Sequence, residues 1–306
     1  MTGPVSVVIP AGSVDDDLRN QLLAVTGQVT PFEFEVVVSL NTPDPEAAHR
    51  LEKVLAELGD PGVRWIDSSA SRGAAHARNA GLAAATHDVI AFCDADDVCQ
   101  EGWLANLVAA MDEYDVVGGH LEDVSLGDPR QADWRPPATP GALPTFLGVP
   151  YIVSANLAVR REHFEAVGGF DTSLIRCEDV AIGWSFVKRG LTLGYVPDAV
   201  VAYRHRPGIV PMLRQHYLYG RGMSQVLHRY GVPAQEGQGE EWSAPSGLRM
   251  LRPNGQRANR RTVVGTMRRG SIAAGRVVGM IEGRFDRTGP GGSASRLDGT
   301  GSGGSA

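Results

Sequence analysis

The chain has 306 residues, of which 42% are hydrophobic and 21% charged, and its formal net charge is −6. This composition is typical of a globular protein with one large core and an appendage. No apolar run approaches the roughly 18 residues needed to cross a bilayer, no signal peptide is evident, and three cysteines without a C-x-x-C pair argue against a disulfide framework or zinc site. We therefore expect a cytoplasmic protein.

Strand-like and helix-like segments alternate from the first residues onward. Strands are predicted at residues 5–9, 34–40, 63–67 and 89–93, and helices at 15–26, 45–58 and 74–85, where apolar residues recur at helical spacing. Such alternation predicts an α/β fold with a mainly parallel sheet and helices on both faces. Ligands of such folds bind at the carboxy-terminal ends of the strands.

The pattern then becomes less regular. A helix at 103–114 and a strand at 116–119 precede the Pro/Gly-rich stretch 126–150, which is too long for an ordinary connection and is either disordered or a functional lid. Further elements are predicted at 152–159, 161–167, 180–189, 193–196 and 200–205. A helix at 210–230 begins a C-terminal appendage, and the Gly/Ser-rich residues 289–306 are predicted to be disordered.

Three carboxylates, Asp94, Asp96 and Asp97, directly follow the predicted buried strand 89–93. Carboxylates this close repel one another and raise one another's pKa, whereas a divalent cation such as Mg²⁺ or Mn²⁺ stabilises them and can also hold a diphosphate. The alternative is a solvated acidic loop or the N-terminal cap of the next helix. The neighbouring motifs decide between these interpretations.

Several motifs at separate places agree with one family. The chain reads Val-Ser-Val-Val-Ile-Pro at 5–10, Ser-Arg-Gly at 71–73, Ala-Arg-Asn-Ala-Gly at 77–81 and Asp-Ala-Asp-Asp at 94–97. Asn156 follows, then Gly-Gly-Phe-Asp at 168–171, Glu-Asp at 178–179 and Tyr-Arg-His at 203–205. In order and spacing these motifs resemble the family 2 glycosyltransferases of the GT-A fold, over about residues 5–206.

The resemblance implies a Rossmann-like GT-A catalytic domain at 1–206, which binds the nucleotide-sugar and the acceptor, and a helical basic extension at 207–288. The implied activity moves a sugar from a nucleotide-diphosphate donor, expected to be a UDP-sugar, to a hydroxyl acceptor with inversion and with Mn²⁺ or Mg²⁺ as cofactor. The acceptor would be a glycan or lipid-linked molecule in glycan or cell-surface polysaccharide synthesis, and no nucleic-acid partner is expected. The alternatives are a degenerate sugar-nucleotide-binding protein and a sugar-phosphate nucleotidyltransferase, although the glycine-rich, lysine-containing signature of the latter is absent near the first strand.

The resemblance also assigns catalytic and metal-binding roles. Asp179 is expected to be the catalytic base, with Glu178 orienting the acceptor or the adjoining loop, although the helix dipole alone would favour acids there. Asp96 is the expected metal ligand, and Asp97 either assists it or caps the next turn. His205 is either a third metal ligand or a structural histidine at a strand end.

Donor and acceptor positions complete the predicted site. Asn41 stands where the family usually has an aspartate pair that recognises uracil and ribose; this is a departure from the family pattern, although an asparagine can still hydrogen-bond a base edge. Arg72 and Arg78 are expected either to reach a phosphate or the base or to be solvent-exposed. Trp184 is expected either to stack on an acceptor sugar or to pack in the core. The donor residues are Pro10, Ala11, Asn41, Arg72, Arg78, Asp94 and Ala95, and the acceptor residues are Asn156, Gly169, Phe170 and Trp184.

The appendage is strongly basic. Residues 247–287 hold ten arginines against two acids, a local charge of +8, so the remainder carries −14. Residues 263–285 interleave arginines with Val, Ile, Met and Ala, as in segments that dock on anionic lipid or on a lipid-diphosphate acceptor. The alternative is a solvated helix that packs on the domain. The segment Tyr-Gly-Arg-Gly at 219–222 resembles a helix that lies beside the active site in membrane-working relatives, which is consistent with a peripheral location at the inner membrane face.

Overall fold

The computed structural model describes residues 3–127, 134, 141–233 and 260–286, with the side chains of 263–283 in the last segment. The strands are β1 (Val5–Ala11), β2 (Phe34–Leu40), β3 (Val63–Asp67), β4 (Val89–Cys93), β5 (Val98–Cys99), β6 (Val116–Glu122), β7 (Thr145–Phe146), β8 (Val149–Pro150), β9 (Asn156–Arg160) and β10 (Leu193–Ala202). The helices are α1 (Asp16–Thr26), α2 (Ala47–Leu58), α3 (Ala74–Ala84), α4 (Trp103–Ala110), α5 (Arg161–Ala166), α6 (Glu178–Lys188), α7 (Ile209–Tyr230) and α8 (Arg260–Asp286).

Eight strands form one sheet in the order β3-β2-β1-β4-β9-β6-β10-β5. The pairs among β3, β2, β1 and β4 are parallel, as is the pair of β6 with β10, whereas β9 and β5 pair antiparallel with their neighbours. The predicted α/β fold with a mainly parallel sheet is confirmed.

Side chains of β1 alternate between two cores because successive residues of a strand point to opposite faces. Val5, Val7 and Ile9 pack with α1, α2 and α4, whereas Val8 packs with α3, α5 and α6. The α3 helix approaches β1 closely at Gly81, where a Cβ atom would lie 2.4 Å from Cγ1 of Val8. This close approach fixes the position of α3, which carries Arg78.

Several predicted bounds differ from the structure. The strand expected at 152–159 begins only at Asn156, and the two strands expected at 193–205 form the single strand β10, with a register shift between Val196 and Val200. The short β5 and the β7–β8 hairpin lacked a sequence signal because two-residue strands show no periodicity. Residues 128–133 and 135–140 of the predicted lid at 126–150, residues 234–259 and the tail at 289–306 lie outside the described residues.

The two C-terminal helices pack closely against each other through glycines. A Cβ atom at Gly275 would lie 2.0 Å from the Tyr217 carbonyl oxygen, and one at Gly220 would lie 2.1 Å from the Ile272 carbonyl oxygen. Arg221 forms an ion pair across the helices with Glu282, with Nε 3.2 Å from Oε2. One face of α8 therefore packs on the protein, as the second interpretation of the basic segment proposed. No helix in the described segments is long and apolar enough to cross a membrane.

Candidate active site

A cavity of about 180 Å³ opens at the carboxy-terminal edge of β4. Five predicted site residues line it: Arg78, Asp94, Asp96, Glu178 and Asp179. They come from α3, from the loop after β4 and from the first turn of α6. The fold thus brings together carboxylates that are more than 80 residues apart in the sequence.

The acidic loop after β4 is held from both sides. Gln21, fully buried on α1, donates its amide to the Asp94 carbonyl oxygen and accepts a hydrogen bond from the Cys99 amide, each at 2.9 Å. On the other side, the Arg204 amide donates to Oδ1 of Asp97 at 2.7 Å and the Arg204 guanidinium donates to the Asp96 carbonyl oxygen at 2.9 Å. The loop is therefore fixed before any ligand binds.

The three aspartates can meet at one cation. One carboxylate oxygen from each of Asp94, Asp96 and Asp97 lies within 4.8 Å of the others. Burial and the nearby Asp94 raise the pKa of Asp96, and the same causes raise the pKa of Asp97 to about 9. Oδ2 of Asp97 is buried without a hydrogen-bond partner. Oxygen donors of this kind, destabilised by their mutual proximity, fit a hard divalent cation.

Arg78 bridges the two acidic motifs. Its side chain is 4% exposed; Nη2 lies 2.5 Å from Oδ1 of Asp94, and Nη1 lies 3.1 Å from Oε1 of Glu178. The guanidinium also lies over the Phe170 ring, 5.6 Å from its centroid. Both ends of the guanidinium contact carboxylates of the protein, so Arg78 is not solvent-exposed. Its contact with a phosphate or with the nucleobase stays a prediction.

Asp179 occupies the first turn of α6 and lines the cavity. The Val180 amide donates to Oδ1 of Asp179 at 2.8 Å. Burial, followed by the neighbouring Glu178 carboxylate, raises the pKa of Asp179 to about 7, whereas Arg78 acts to lower it. A carboxylate whose pKa lies near neutrality suits general-base chemistry at physiological pH.

The residue before this acidic pair has an unusual backbone. Cys177 caps α6 with φ of 69°, in the left-handed region that a non-glycine residue seldom adopts. Its buried thiol donates weakly to the Tyr219 carbonyl oxygen at 3.6 Å, and burial raises the thiol pKa well above its usual value. The cysteine is thus not activated as a nucleophile.

Helix α7 supplies part of the cavity wall. Gln215 and Tyr219 line it, and the Gln215 amide donates to the Tyr219 hydroxyl at 2.8 Å. The sequence placed the Tyr219 segment near an active site only by resemblance, and it missed Gln215, Arg176 and Arg206 because isolated polar residues in irregular segments or on a helix carry no distinguishing pattern. The sequence likewise assigned no site role to the remaining lining residues Ala74, Val153, Ser154, Ala155 and Cys177, nor to Tyr203 and Arg204, which it marked only as part of a motif.

The remaining predicted donor residues lie along the same sheet edge but outside the cavity lining. Pro10 and Ala11 end β1, and the Ala11 carbonyl oxygen accepts a hydrogen bond from the backbone N–H of Asn41 at 2.7 Å. The Asn41 side chain is committed to the loop before α3, because it donates to the Ser71 carbonyl oxygen at 2.8 Å and accepts from the Gly73 amide at 3.0 Å. Arg72 is exposed in that loop, and Ala95 packs partly against the core.

Two predicted acceptor residues are buried away from the cavity. Asn156 is 1% exposed; its Oδ1 accepts from Trp103, and its Nδ2 donates to the His120 and Ala199 carbonyl oxygens. Trp184 is fully buried and stacks on Phe146, with ring centroids 5.4 Å apart. Neither side chain can contact a sugar, so both assignments are corrected to core packing.

The Gly169–Phe170 turn also acts indirectly. Asn79 donates to the Phe170 carbonyl oxygen at 2.8 Å and accepts from the Phe170 amide at 3.0 Å, which fixes the turn against α3. Phe170 is 2% exposed and contacts Arg78 rather than the cavity. The turn therefore supports the Arg78 bridge.

His205 lies near a different acid from the one expected. Its Nε2 is 3.7 Å from Oδ2 of Asp123, and its ring packs edge-on to Tyr203. Within the described part of the chain, the group whose ligand atoms could meet at one ion comprises Asp94, Asp96 and Asp97 without His205. Metal ligation by His205 stays a prediction.

The family profile described as Glycosyl transferase family 2 matches residues 6–168. Among curated proteins, the "Pre-mycofactocin glycosyltransferase" of Mycobacterium tuberculosis strain H37Rv is 32% identical over 246 residues, which cover 74% of this chain and 48% of that protein. The "Glycosyltransferase AglE" of Haloferax volcanii is 24% identical over 225 residues, 72% of this chain and 73% of that protein. The chain thus spans about half the length of the mycobacterial relative.

Solved structures share the fold. The mannosyltransferase PcManGT from Pyrobaculum calidifontis, solved with GDP-Man and Mn²⁺, superposes with a TM-score of 0.58 at 18% identity, over 92% of this chain and 78% of that one. Residues 1–349 of S. aureus TarS, solved with UDP-GlcNAc, give a TM-score of 0.55 at 19% identity, over 76% and 68%. At these identities the likeness concerns the fold.

Proposed function

The chain belongs to glycosyltransferase family 2, and from this premise we propose that it transfers a sugar from a nucleotide-diphosphate donor to an acceptor hydroxyl with inversion at the anomeric carbon. One observation carries the proposal: the carboxylates of the Asp94 loop and the Glu178–Asp179 pair line one cavity and are joined through Arg78. Sugar transfer needs one acidic group that holds a cation at the departing diphosphate and another that removes the acceptor proton, and both must face the same cavity.

Asp96 and Asp97, with Asp94, are proposed to hold Mn²⁺ or Mg²⁺. The mutual proximity of the three carboxylates and the unpartnered buried oxygen of Asp97 support this assignment. When bound, such a cation neutralises the charge that develops on the departing diphosphate. Two proteins of similar fold were solved with Mn²⁺, which makes manganese the first ion to test.

Asp179 is proposed to be the general base. The acceptor hydroxyl gives its proton to the Asp179 carboxylate, its oxygen forms a bond to the anomeric carbon, and the bond from that carbon to the diphosphate oxygen breaks. The electron pair leaves with the diphosphate. Because a single base acts opposite the leaving group, the displacement has one step and inverts the anomeric centre. Glu178 positions the pair through Arg78.

The donor is proposed to be a UDP-sugar, and the acceptor a glycan or lipid-linked hydroxyl. The Asn41 side chain is hydrogen-bonded to the loop before α3 and so is not free to replace the usual aspartate in recognising uracil. One structural neighbour was solved with GDP-Man and another with UDP-GlcNAc, so uridine and guanosine donors are compared directly.

A donor screen tests this proposal. UDP-Glc, UDP-GlcNAc, UDP-Gal and GDP-Man are incubated with the enzyme and Mn²⁺, and the released nucleotide diphosphate is measured with water as acceptor. We expect release from at least one donor, which is lost with EDTA and in the Asp179→Asn variant. If a donor bound but was not turned over, even when candidate acceptors were added, the degenerate binding protein would be favoured. A preference for GDP-Man would change the proposed nucleobase from uracil to guanine. Release of pyrophosphate from a nucleoside triphosphate and a sugar phosphate would indicate the nucleotidyltransferase.

A further inference from the structure

Helix α8 has two contrasting faces. The face towards α7 is built from small or buried residues, among them Val264, Gly275, Gly279 and Gly283. The opposite face is solvent-exposed although it is apolar. Six residues spaced three or four apart lie along this face and are here called the outer stripe: Val263, Met267, Gly270, Ala274, Val277 and Ile281.

The outer stripe is unusual for a face in contact with water. None of its six residues is polar or charged, and all six are exposed. Val277 is 57% exposed, Ile281 49% and Met267 47%, and Met280 beside the stripe is 51% exposed. Single exposed apolar residues are ordinary, whereas a continuous apolar face along a 27-residue helix marks an interaction surface.

The charge on α8 indicates what covers this surface. The helix holds six arginines and two acids, a net charge of +4, and Glu282 is already paired with Arg221. Arg269 is exposed, and at 100° per residue it lies about 120° around the helix from the centre of the stripe, between the stripe and the face that packs on α7. An apolar stripe on a helix of net positive charge matches an interface that offers acyl chains and anionic headgroups together.

We propose that the outer stripe of α8 docks on the surface of an anionic membrane, with the helix lying in the plane of the interface. Helix α7 lies between this surface and the cavity, since Tyr219 lines the cavity and the next residue, Gly220, packs on α8. Docking would therefore hold the active site within one helix layer of the lipid. This deepens the proposed function, because it places the acceptor at a membrane, but the docking can be tested without turnover.

The test is co-sedimentation of the full chain with vesicles of phosphatidylcholine, alone or with about 30% phosphatidylglycerol, at about 0.1 and 0.5 M NaCl. We expect binding to the anionic vesicles that falls at high salt and is much weaker on neutral vesicles. The variant Val277→Gln/Ile281→Gln should bind at least tenfold more weakly, since it removes apolar area without changing charge. Leu23→Gln/Val29→Gln is the matched control, because both residues are apolar and exposed, at 52% and 83%, on α1 and in the loop that follows it rather than on α8.

Thermal melting of each variant confirms that the fold is kept. Equal vesicle binding by the Val277→Gln/Ile281→Gln variant and the control would overturn the proposal, as would the absence of binding to anionic vesicles. The outer stripe could instead be covered by a second copy of the chain, and sedimentation velocity without vesicles tests this. A dimer that dissociates in the Val277→Gln/Ile281→Gln variant would overturn membrane docking and make the stripe a contact between two copies. Nucleotide release from the donor screen, measured without lipid, reports the proposed function separately.

Discussion

The Arg78 bridge gives the sharpest prediction about the chemistry. Replacing Arg78 by Gln removes the charge that pairs with Asp94 and Glu178. Removing one partner of a buried ion pair costs about 3–5 kcal/mol in general. Because Asp94 and Glu178 are 27% and 15% exposed, solvent screens part of the loss, and we expect about 3 kcal/mol, near the lower end of that range. This corresponds to a melting temperature lower by about 6–12 °C for a domain of this size.

The same substitution should shift the pH dependence of activity. Asp179 must be unprotonated to act as a base, so activity rises with pH through its pKa of about 7. The Arg78 charge lowers that pKa, and its removal therefore raises it. The acid limb of kcat/KM for donor hydrolysis should move to higher pH by about one unit, which corresponds to about 1.4 kcal/mol.

Arg78→Lys is the matched control. Lysine keeps the positive charge but lacks the planar fork that reaches two carboxylates. We expect this variant to lose stability, while its acid limb stays close to that of the wild type. If both variants melted lower and neither changed the pH profile, Arg78 would be a structural residue that does not set the protonation of Asp179.

The remaining predictions concern the base, the cation, the lid and the helix pair. Asp179→Asn should lower donor turnover by about 10²–10⁴-fold while calorimetric UDP affinity is kept, and near-normal turnover would place the base elsewhere. UDP titrated with Mn²⁺ should bind more tightly than with EDTA, and Asp96→Asn should abolish the difference; equal affinity in wild type would contradict the metal assignment. Hydrogen exchange in residues 126–150 should slow with UDP and Mn²⁺ if this stretch is a lid, and unchanged exchange would make it an insertion. Gly275→Val should lower the melting temperature, because a Cβ there meets the Tyr217 carbonyl oxygen at 2.0 Å, whereas Gly270→Val, with open space around it, should not.

The sequence predicted the elements that a regular pattern encodes. The strands β2, β3 and β4 have the predicted bounds because each is rich in β-branched and aromatic residues and is followed by a change in composition. The acidic loop and the Glu178–Asp179 pair were found for a related reason, since their residue types stand out next to such elements. The shared cavity followed from the family resemblance and from the rule that ligands meet at the carboxy-terminal edge.

Side-chain roles within these motifs were harder to predict. Asn156 and Trp184 are residue types that often contact sugars, and they lie where the motifs place acceptor residues. Both are buried in the core, however, and their burial depends on neighbours that are distant in the sequence. Arg78 was expected to reach a phosphate or the nucleobase or to be solvent-exposed, and its two carboxylate partners were not predicted. Gln215 and Tyr219 enter the cavity only because α7 packs on α6, and a sequence pattern does not encode that contact.

The stereochemistry of donor hydrolysis tests the central claim most directly. An α-linked donor that proves active in the screen is incubated with Mn²⁺, and the anomer of the first released sugar is observed by proton NMR before mutarotation. One-step displacement with Asp179 as base predicts the β-anomer, and its release should be lost in Asp179→Asn. Initial release of the α-anomer, or β-anomer release that persists in Asp179→Asn, would contradict the proposed mechanism.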